Sequence, residues 1–186
     1  MVLTFVITTQ FPLQDAILIG AAVSLILYCV QAARSARLIS LVRDDDGWTV
    51  ADVPDTFPAE RITVLHHSGV ALFAEVPRLA ESWPRVGDDS SRSVLILSVR
   101  TLPDVPSTTL QKLLRAQAKR LRDKGGRFII AGVTPPLAQR LQRSGFTEEI
   151  GEEAIFMATG TIFEALDDAY AEAQQWLAAP QGSDDG

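Results

Sequence analysis

The sequence predicts an α/β protein in which an amino-terminal transmembrane helix precedes a mixed-sheet domain with helices packed on it. Three observations lead to this fold class. Before residue 34 the only charged side chain is Asp15, whereas the remainder of the 186-residue chain mixes both signs of charge. Short apolar runs rich in β-branched residues recur beyond residue 60, and amphipathic helical patterns lie between these runs.

The predicted transmembrane helix is the uncharged stretch 16–30, which reaches the ~20 residues needed to cross a bilayer when residues 12–14 are added. Arg34, Arg37 and Arg43 follow this stretch, and no Lys or Arg precedes it. Basic residues favour the cytoplasmic side, so we expect residues 44–186 in the cytoplasm, below the inner membrane, with the lipid bilayer as a partner. A buried helix of a soluble domain is the remaining alternative.

A cleaved export signal is disfavoured by two features. A secretory signal begins with basic residues and has a shorter apolar region than this one. A lipoprotein signal at Cys29 requires a small residue directly before the cysteine, and that position holds Tyr28. The helix is therefore predicted to persist as an anchor.

The chain divides into four predicted parts. Residues 1–43 are the membrane segment, with the end of one span, one full span and a basic flank. Residues 44–47, Asp-Asp-Asp-Gly, are a hinge, because adjacent like charges repel and Gly favours a turn. Residues 48–179 are the domain, and residues 180–186 are a disordered tail.

Within the domain, strands are predicted where apolar and β-branched residues cluster. They cover residues 62–67, 93–98 and 127–132, with a further edge strand at 48–51 and an apolar piece at 70–73.

Three helices are predicted between and after these strands. The first runs from Ser107 or Thr108 to Lys124, and the second begins at Thr134 and ends by Gly145. The third follows a capping box at residues 161–164, and its apolar stripe begins at Ile162.

Composition and motifs exclude several function classes. A net charge of −6 and a pI near 4.9 argue against nucleic acid as a partner. His66 and His67 are neighbours on a predicted strand and point to opposite faces, so no metal site is expected. Neither a nucleophile elbow at Ser68 nor a Gly-rich phosphate loop is present, so we expect no enzyme activity, no catalytic residues and no cofactor.

One predicted helix is strongly basic. A solvated surface is the simplest explanation, and contact with anionic lipid headgroups is the alternative. The basic residues are Lys112, Arg115, Lys119, Arg120, Arg122 and Lys124.

The order of these elements resembles a STAS domain, the cytoplasmic α/β unit of bacterial anti-sigma factor antagonists and of SulP-family anion transporters. Residues 65–75, 94–104 and 126–132 carry this resemblance. Residues 2–20 look like the end of the penultimate span and the start of the last span of a SulP transporter. The resemblance therefore covers nearly the whole chain, from about Val2 to Leu177.

The resemblance implies the carboxyl-terminal part of a secondary transporter of sulfate or a related inorganic anion, with the STAS domain as a regulatory or interaction module. It implies that the remaining membrane segments, a second copy of the chain and a cytoplasmic protein are partners. No residue here is expected to bind the anion, since the family's site lies in earlier spans. Because Met1 falls inside a predicted span, a truncated or split reading frame is expected. The alternative is a membrane-tethered STAS adaptor that transports nothing.

The loop before the first predicted helix is the candidate regulatory site. In anti-sigma factor antagonists this loop carries a phosphorylated serine two places after an aspartate, but the position two places after Asp104 holds Pro106. Ser107 and Thr108 remain candidate phosphate acceptors at a helix amino end. The alternative is that Ser107 only caps the helix.

Overall fold

The computed structural model describes residues 13–35, 37–68, 82–100 and 108–179. Its helices and strands are given below in chain order, and a 3-10 turn lies at Glu152–Ala154. They are α1 (Leu13–Ser35), β1 (Arg37–Asp44), β2 (Gly47–Ala51), β3 (Ile62–Ser68), β4 (Val94–Ser98), α2 (Thr108–Asp123), β5 (Arg127–Val133), α3 (Pro135–Arg143), α4 (Phe146–Ile150), β6 (Ile155–Met157) and α5 (Glu164–Ala178).

The strands of the described residues form one six-stranded mixed sheet in the order β2-β1-β3-β4-β5-β6. Strand β1 pairs antiparallel with both β2 and β3. The remaining neighbours, from β3 to β6, pair in parallel. The predicted fold class, an apolar helix followed by a mixed sheet with helices on it, is confirmed.

Both faces of the sheet are covered, which explains the uninterrupted apolar runs of its central strands. All five residues of β4 are buried. Leu95 and Leu97 face a core that includes Leu114 and Leu121 of α2 and Leu141 of α3. The intervening residues of β4 face a second core against α5, formed by Val94, Ile96, Ile129, Leu166, Ala169 and Ala173.

The structure differs from the sequence prediction at the start of the domain. The predicted basic flank becomes strand β1, and the four residues predicted as a hinge close the hairpin between β1 and β2. Asp44 accepts a hydrogen bond from the amide of Asp46, and Gly47 has a φ of 129°. Leu38 and Leu41 are buried on opposite faces of the sheet. The strand was not predicted because Arg37 and Arg43 interrupt its apolar pattern.

The start of α5 also differs from the prediction. The capping box at residues 161–164 does not form, because the helix begins at Glu164 and Phe163 is its N-cap without a side-chain hydrogen bond. The hydroxyl of Thr159 instead accepts a hydrogen bond from the amide of Thr161. The buried apolar residues of α5 therefore begin with Ala165 and Leu166, and Ile162 is 65% exposed.

The described residues contain α2 over Thr108–Asp123, as predicted, and Ser107 lies outside them. The predicted start of α3 agrees with the structure. The hydroxyl of Thr134 accepts a hydrogen bond from the amide of Leu137, so it caps α3, and proline occupies the first turn.

Arg92 anchors the carboxyl end of α5 to the rest of the domain. Its guanidinium donates hydrogen bonds to the carbonyls of Trp176, Leu177 and Ala179 at 3.2 to 3.3 Å. The same group lies 5.0 Å from the centre of the Trp176 ring. A cation here satisfies carbonyls that the helix end leaves unpaired and complements the helix dipole.

We expect Arg92→Ala to lower the free energy of unfolding by about 1–2 kcal/mol, because three charge-assisted contacts are lost. Arg92 has a φ of 51°, so Arg92→Gly should be the milder change, since it relieves this backbone strain while removing the same contacts. Urea unfolding monitored by tryptophan fluorescence measures both variants, with Arg140→Ala on the exposed face of α3 as the control. Equal stability of Arg92→Ala and the native chain would contradict this role.

Candidate functional site at the carboxyl edge of the parallel strands

The parallel strands β3, β4 and β5 end at one edge of the sheet, where α/β proteins commonly place their binding residues. The candidate regulatory loop follows β4 at this edge. Asp104 and Ser107 lie outside the described residues, so their roles remain predictions. Thr108 is the first residue of α2 and is exposed.

A histidine and a serine form a pair at the same edge of the sheet. The ring Nδ1 of His66 lies 3.0 Å from the hydroxyl of Ser98, and the two residues are register partners on β3 and β4. His66 is half-buried, whereas the adjacent His67 is only 1% exposed. The two rings therefore occupy opposite faces, as the sequence predicts. Among the described residues, no group of three His, Cys, Asp or Glu side chains is placed to hold a metal ion.

Burial determines the charge of both histidines. Desolvation lowers the pKa of His66, and desolvation followed by repulsion from His66 lowers the pKa of His67. Both rings are therefore neutral at pH 7. A neutral His66–Ser98 pair supplies a hydrogen-bonding surface and no positive charge at this edge.

These shifts predict how stability depends on pH. The folded pKa of His66 lies below its unfolded value of about 6.5, so the unfolded chain binds more protons as the pH falls. The stabilising contribution is fully present above about pH 6.5 and is lost as the pH falls toward the folded pKa. We expect urea midpoints to decrease between about pH 7.5 and 5.5, and His66→Asn to reduce this decrease. An unchanged pH dependence in His66→Asn would contradict the assignment.

Arg100 binds the segment that precedes α5 at this edge of the sheet. Its guanidinium donates hydrogen bonds to the carbonyls of Thr159 at 3.1 Å and Thr161 at 3.0 Å. Gly132 makes room for it, since a Cβ there would lie 3.1 Å from the Cβ of Arg100, and Gly132 also has a φ of 80°. The sequence reasoning missed Arg100. The available signal was a single arginine two residues after the end of a buried strand.

Several basic residues of α2 and the residue after it make contacts within the domain. Lys124 pairs with Asp88 at 2.9 Å, and Lys119 pairs with Asp123 at 2.8 Å. Arg122 donates to the carbonyl of Glu149. Helix α2 begins at the carboxyl edge of the sheet. These cations lie at the carboxyl end of α2, away from that edge. This arrangement supports the ordinary-surface explanation for the basic helix over contact with lipid headgroups.

Helix α1 stands apart from the cores of the domain. The stretch Gln14–Gln31 has a mean hydropathy of 1.6 and none of it is buried, and it is the helix among the described residues that is long and apolar enough to cross a membrane. Leu18 and Leu25 are 68% and 64% exposed. Exposed apolar surface around a whole helix is unfavourable in water and favourable in lipid.

Comparisons with known proteins match the sheet domain. The family model for the STAS domain matches residues 54–169. The crystal structure of a sulfate transporter family protein from Wolinella succinogenes has 25% sequence identity and a TM-score of 0.52, and the match covers 69% of this chain and 100% of that chain. A search of curated proteins gives no match.

Two structures of a larger protein share the fold. The inward-facing anion transporter murine Solute Carrier 26 family member A9 has 14% identity and a TM-score of 0.62, over 94% of this chain and 28% of that chain. A further structure of SLC26A9 has 16% identity and a TM-score of 0.51, over 87% of this chain and 28% of that chain. This chain thus spans less than a third of these two proteins. Residues 37–179 are about three quarters of the sequence, so the 94% match extends into the residues before β1.

Proposed function

Because the chain belongs to the STAS domain family, we propose that it is the carboxyl-terminal part of a SulP-type secondary transporter of sulfate or a related inorganic anion. In this proposal α1 is the last membrane span, and the sheet domain is a regulatory and interaction module in the cytoplasm. The observation that carries the proposal is an exposed, membrane-length apolar helix that ends one residue before the first strand of the STAS sheet.

Two further findings support this proposal. The Wolinella succinogenes protein, which is described as a sulfate transporter family protein, matches over its whole length. Basic residues follow α1 and none precedes it, which favours a cytoplasmic sheet domain.

The anion site belongs elsewhere in such a transporter. Secondary transporters bind their substrate near the midplane of the bilayer, between repeated sets of spans, and one helix cannot form that cavity. At the carboxyl edge of the sheet, His66 is neutral at pH 7 and the guanidinium of Arg100 is bonded to backbone carbonyls. We therefore assign this chain contacts with the remaining spans, with a second copy and with a cytoplasmic protein, and no substrate ligand.

Anion uptake tests this proposal. Cells expressing the complete coding region that contains this chain are expected to take up labelled sulfate or a related anion, and deletion of residues 37–179 should change that uptake. Val50→Thr, a substitution at an exposed position of the edge strand, is the matched control and should leave uptake unchanged.

The DNA on the 5′ side of the Met1 codon provides a second test. Ten or more apolar spans in the same or a neighbouring frame are expected from a transporter. Unrelated sequence there, together with no anion uptake, would reject the transporter and favour a membrane-tethered adaptor.

A further inference from the structure

An uncharged segment at the carboxyl edge of the sheet exposes large apolar side chains. This segment, residues 157–163 with the sequence Met-Ala-Thr-Gly-Thr-Ile-Phe, is called the apolar loop here. Met157, Ile162 and Phe163 are 43%, 65% and 44% exposed. The next apolar side chains, Ala165 and Leu166, are buried, so the exposed apolar surface at this edge ends with Phe163.

The apolar loop is held in place by polar contacts to its backbone. Arg100 donates to two of its carbonyls, those of Thr159 and Thr161. The hydroxyl of Thr159 also bonds to the amide and the carbonyl of Thr161. These contacts fix the backbone while leaving Ile162 and Phe163 exposed, so little conformational entropy is lost when a partner covers them.

Strand register places the apolar loop level with the end of α1. Arg37 pairs with Ser68, and His66 pairs with Ser98. Arg100 lies two residues beyond Ser98, so it is at the height of Ser68 and Arg37. Only β3 lies between β1 and β4. Arg100 is therefore about 10 Å from the start of β1, measured across the strands.

The same geometry gives the depth of this edge relative to a bilayer. The apolar stretch of α1 ends at Gln31 and the helix ends at Ser35, about 6 Å further along its axis. Only residue 36 separates α1 from β1. An edge at this depth lies within the headgroup layer, where apolar side chains reach roughly 5–10 Å into the boundary with the acyl chains.

We propose that the apolar loop inserts Ile162 and Phe163 into the lipid leaflet beside the carboxyl end of α1. This inference rests on the membrane-spanning α1 of the proposed function. The contact is apolar: the loop has no charged residue, and Glu164 and Asp167 follow it in the first turn of α5. Acidic residues at that point disfavour attraction to anionic headgroups, so neutral lipid is sufficient.

Depth-dependent fluorescence quenching in phosphatidylcholine vesicles tests the proposal with the full chain. In a Cys29→Ser background, Ile162→Cys carries an environment-sensitive fluorophore, and nitroxide-labelled lipid is the quencher. Val50→Cys is the matched control, because Val50 is an equally apolar side chain with 67% exposure that pairs with Leu41, several residues from the edge. Labelled native Cys29, in a separate sample, reports on α1 itself.

We expect quenching at residue 162 to exceed quenching at residue 50 by at least about threefold, and to be the same with or without added anionic lipid. Equal quenching at the two positions, with Cys29 quenched, would overturn the loop insertion and leave the membrane span intact. Quenching at residue 162 only with anionic lipid would also overturn it. A Cys29 label that lipid does not quench would reject the membrane-spanning α1 and the loop insertion with it.

Discussion

Replacement of Gly126 by alanine is expected to lower the free energy of unfolding by about 3 kcal/mol or more. A Cβ at this position would lie 2.4 Å from the carbonyl oxygen of Ser93 and 3.1 Å from that of Leu121. Both obstacles are backbone atoms and cannot move aside by rotating a side chain. The Ser93 carbonyl accepts a hydrogen bond from the amide of Arg127 at 3.0 Å, so moving it disturbs the start of the β4–β5 pairing.

Gly160→Ala is the matched control for this substitution. A Cβ at Gly160 would meet no atom within 4 Å, so we expect a change of less than about 0.5 kcal/mol. Urea unfolding in detergent micelles, followed by tryptophan fluorescence, compares the two variants, since Trp83 is buried in the core of the domain. Similar stability of Gly126→Ala and Gly160→Ala would show that the close approach of Gly126 to Ser93 is wrong.

Substitution of Val23 by arginine in α1 is expected to have the second large effect. Val23 lies near the middle of the apolar stretch Gln14–Gln31. An arginine at the centre of a spanning helix disfavours insertion by about 3 kcal/mol, which corresponds to roughly a hundredfold lower ratio of inserted to uninserted chain. The fraction of full-length chain that stays in membranes after alkaline extraction measures this effect.

Gln31→Arg is the control, because the same charge at the end of the stretch reaches the headgroups beside Arg34. We expect it to insert as the native chain does. Equal retention of Val23→Arg and Gln31→Arg would count against a membrane-spanning α1. A soluble native chain would reject it outright.

The central part of the fold is predictable from local sequence pattern alone. Strands β3, β4 and β5 are short apolar runs bounded by turn residues, and α2 and α3 show helical spacing with recognisable starts. The continuous apolar runs of these strands agree with the structure because helices cover both faces of the sheet. The resemblance of residues 94–104 and 126–132 to a STAS domain depends on the same elements.

The features missed from the sequence depend on contacts between distant residues. Strand β1 contains three charged residues among eight, and its pairing with β2 and β3 makes it a strand. The start of α5 is set by Thr159 and Arg100 rather than by the capping box the sequence suggests. The role of Arg100 requires knowing that residues about 60 positions later return to the end of β4, which local patterns do not encode.

The junction between α1 and β1 is one residue long. Strand β1 is an interior strand, paired on both sides, and Arg43 and Trp48 of its hairpin both contact Asp167 on α5. A change in the tilt of α1 therefore acts first on the start of β1, where Arg37 pairs with Ser68. The sheet domain is thus joined to the apolar helix through an interior strand of its own sheet.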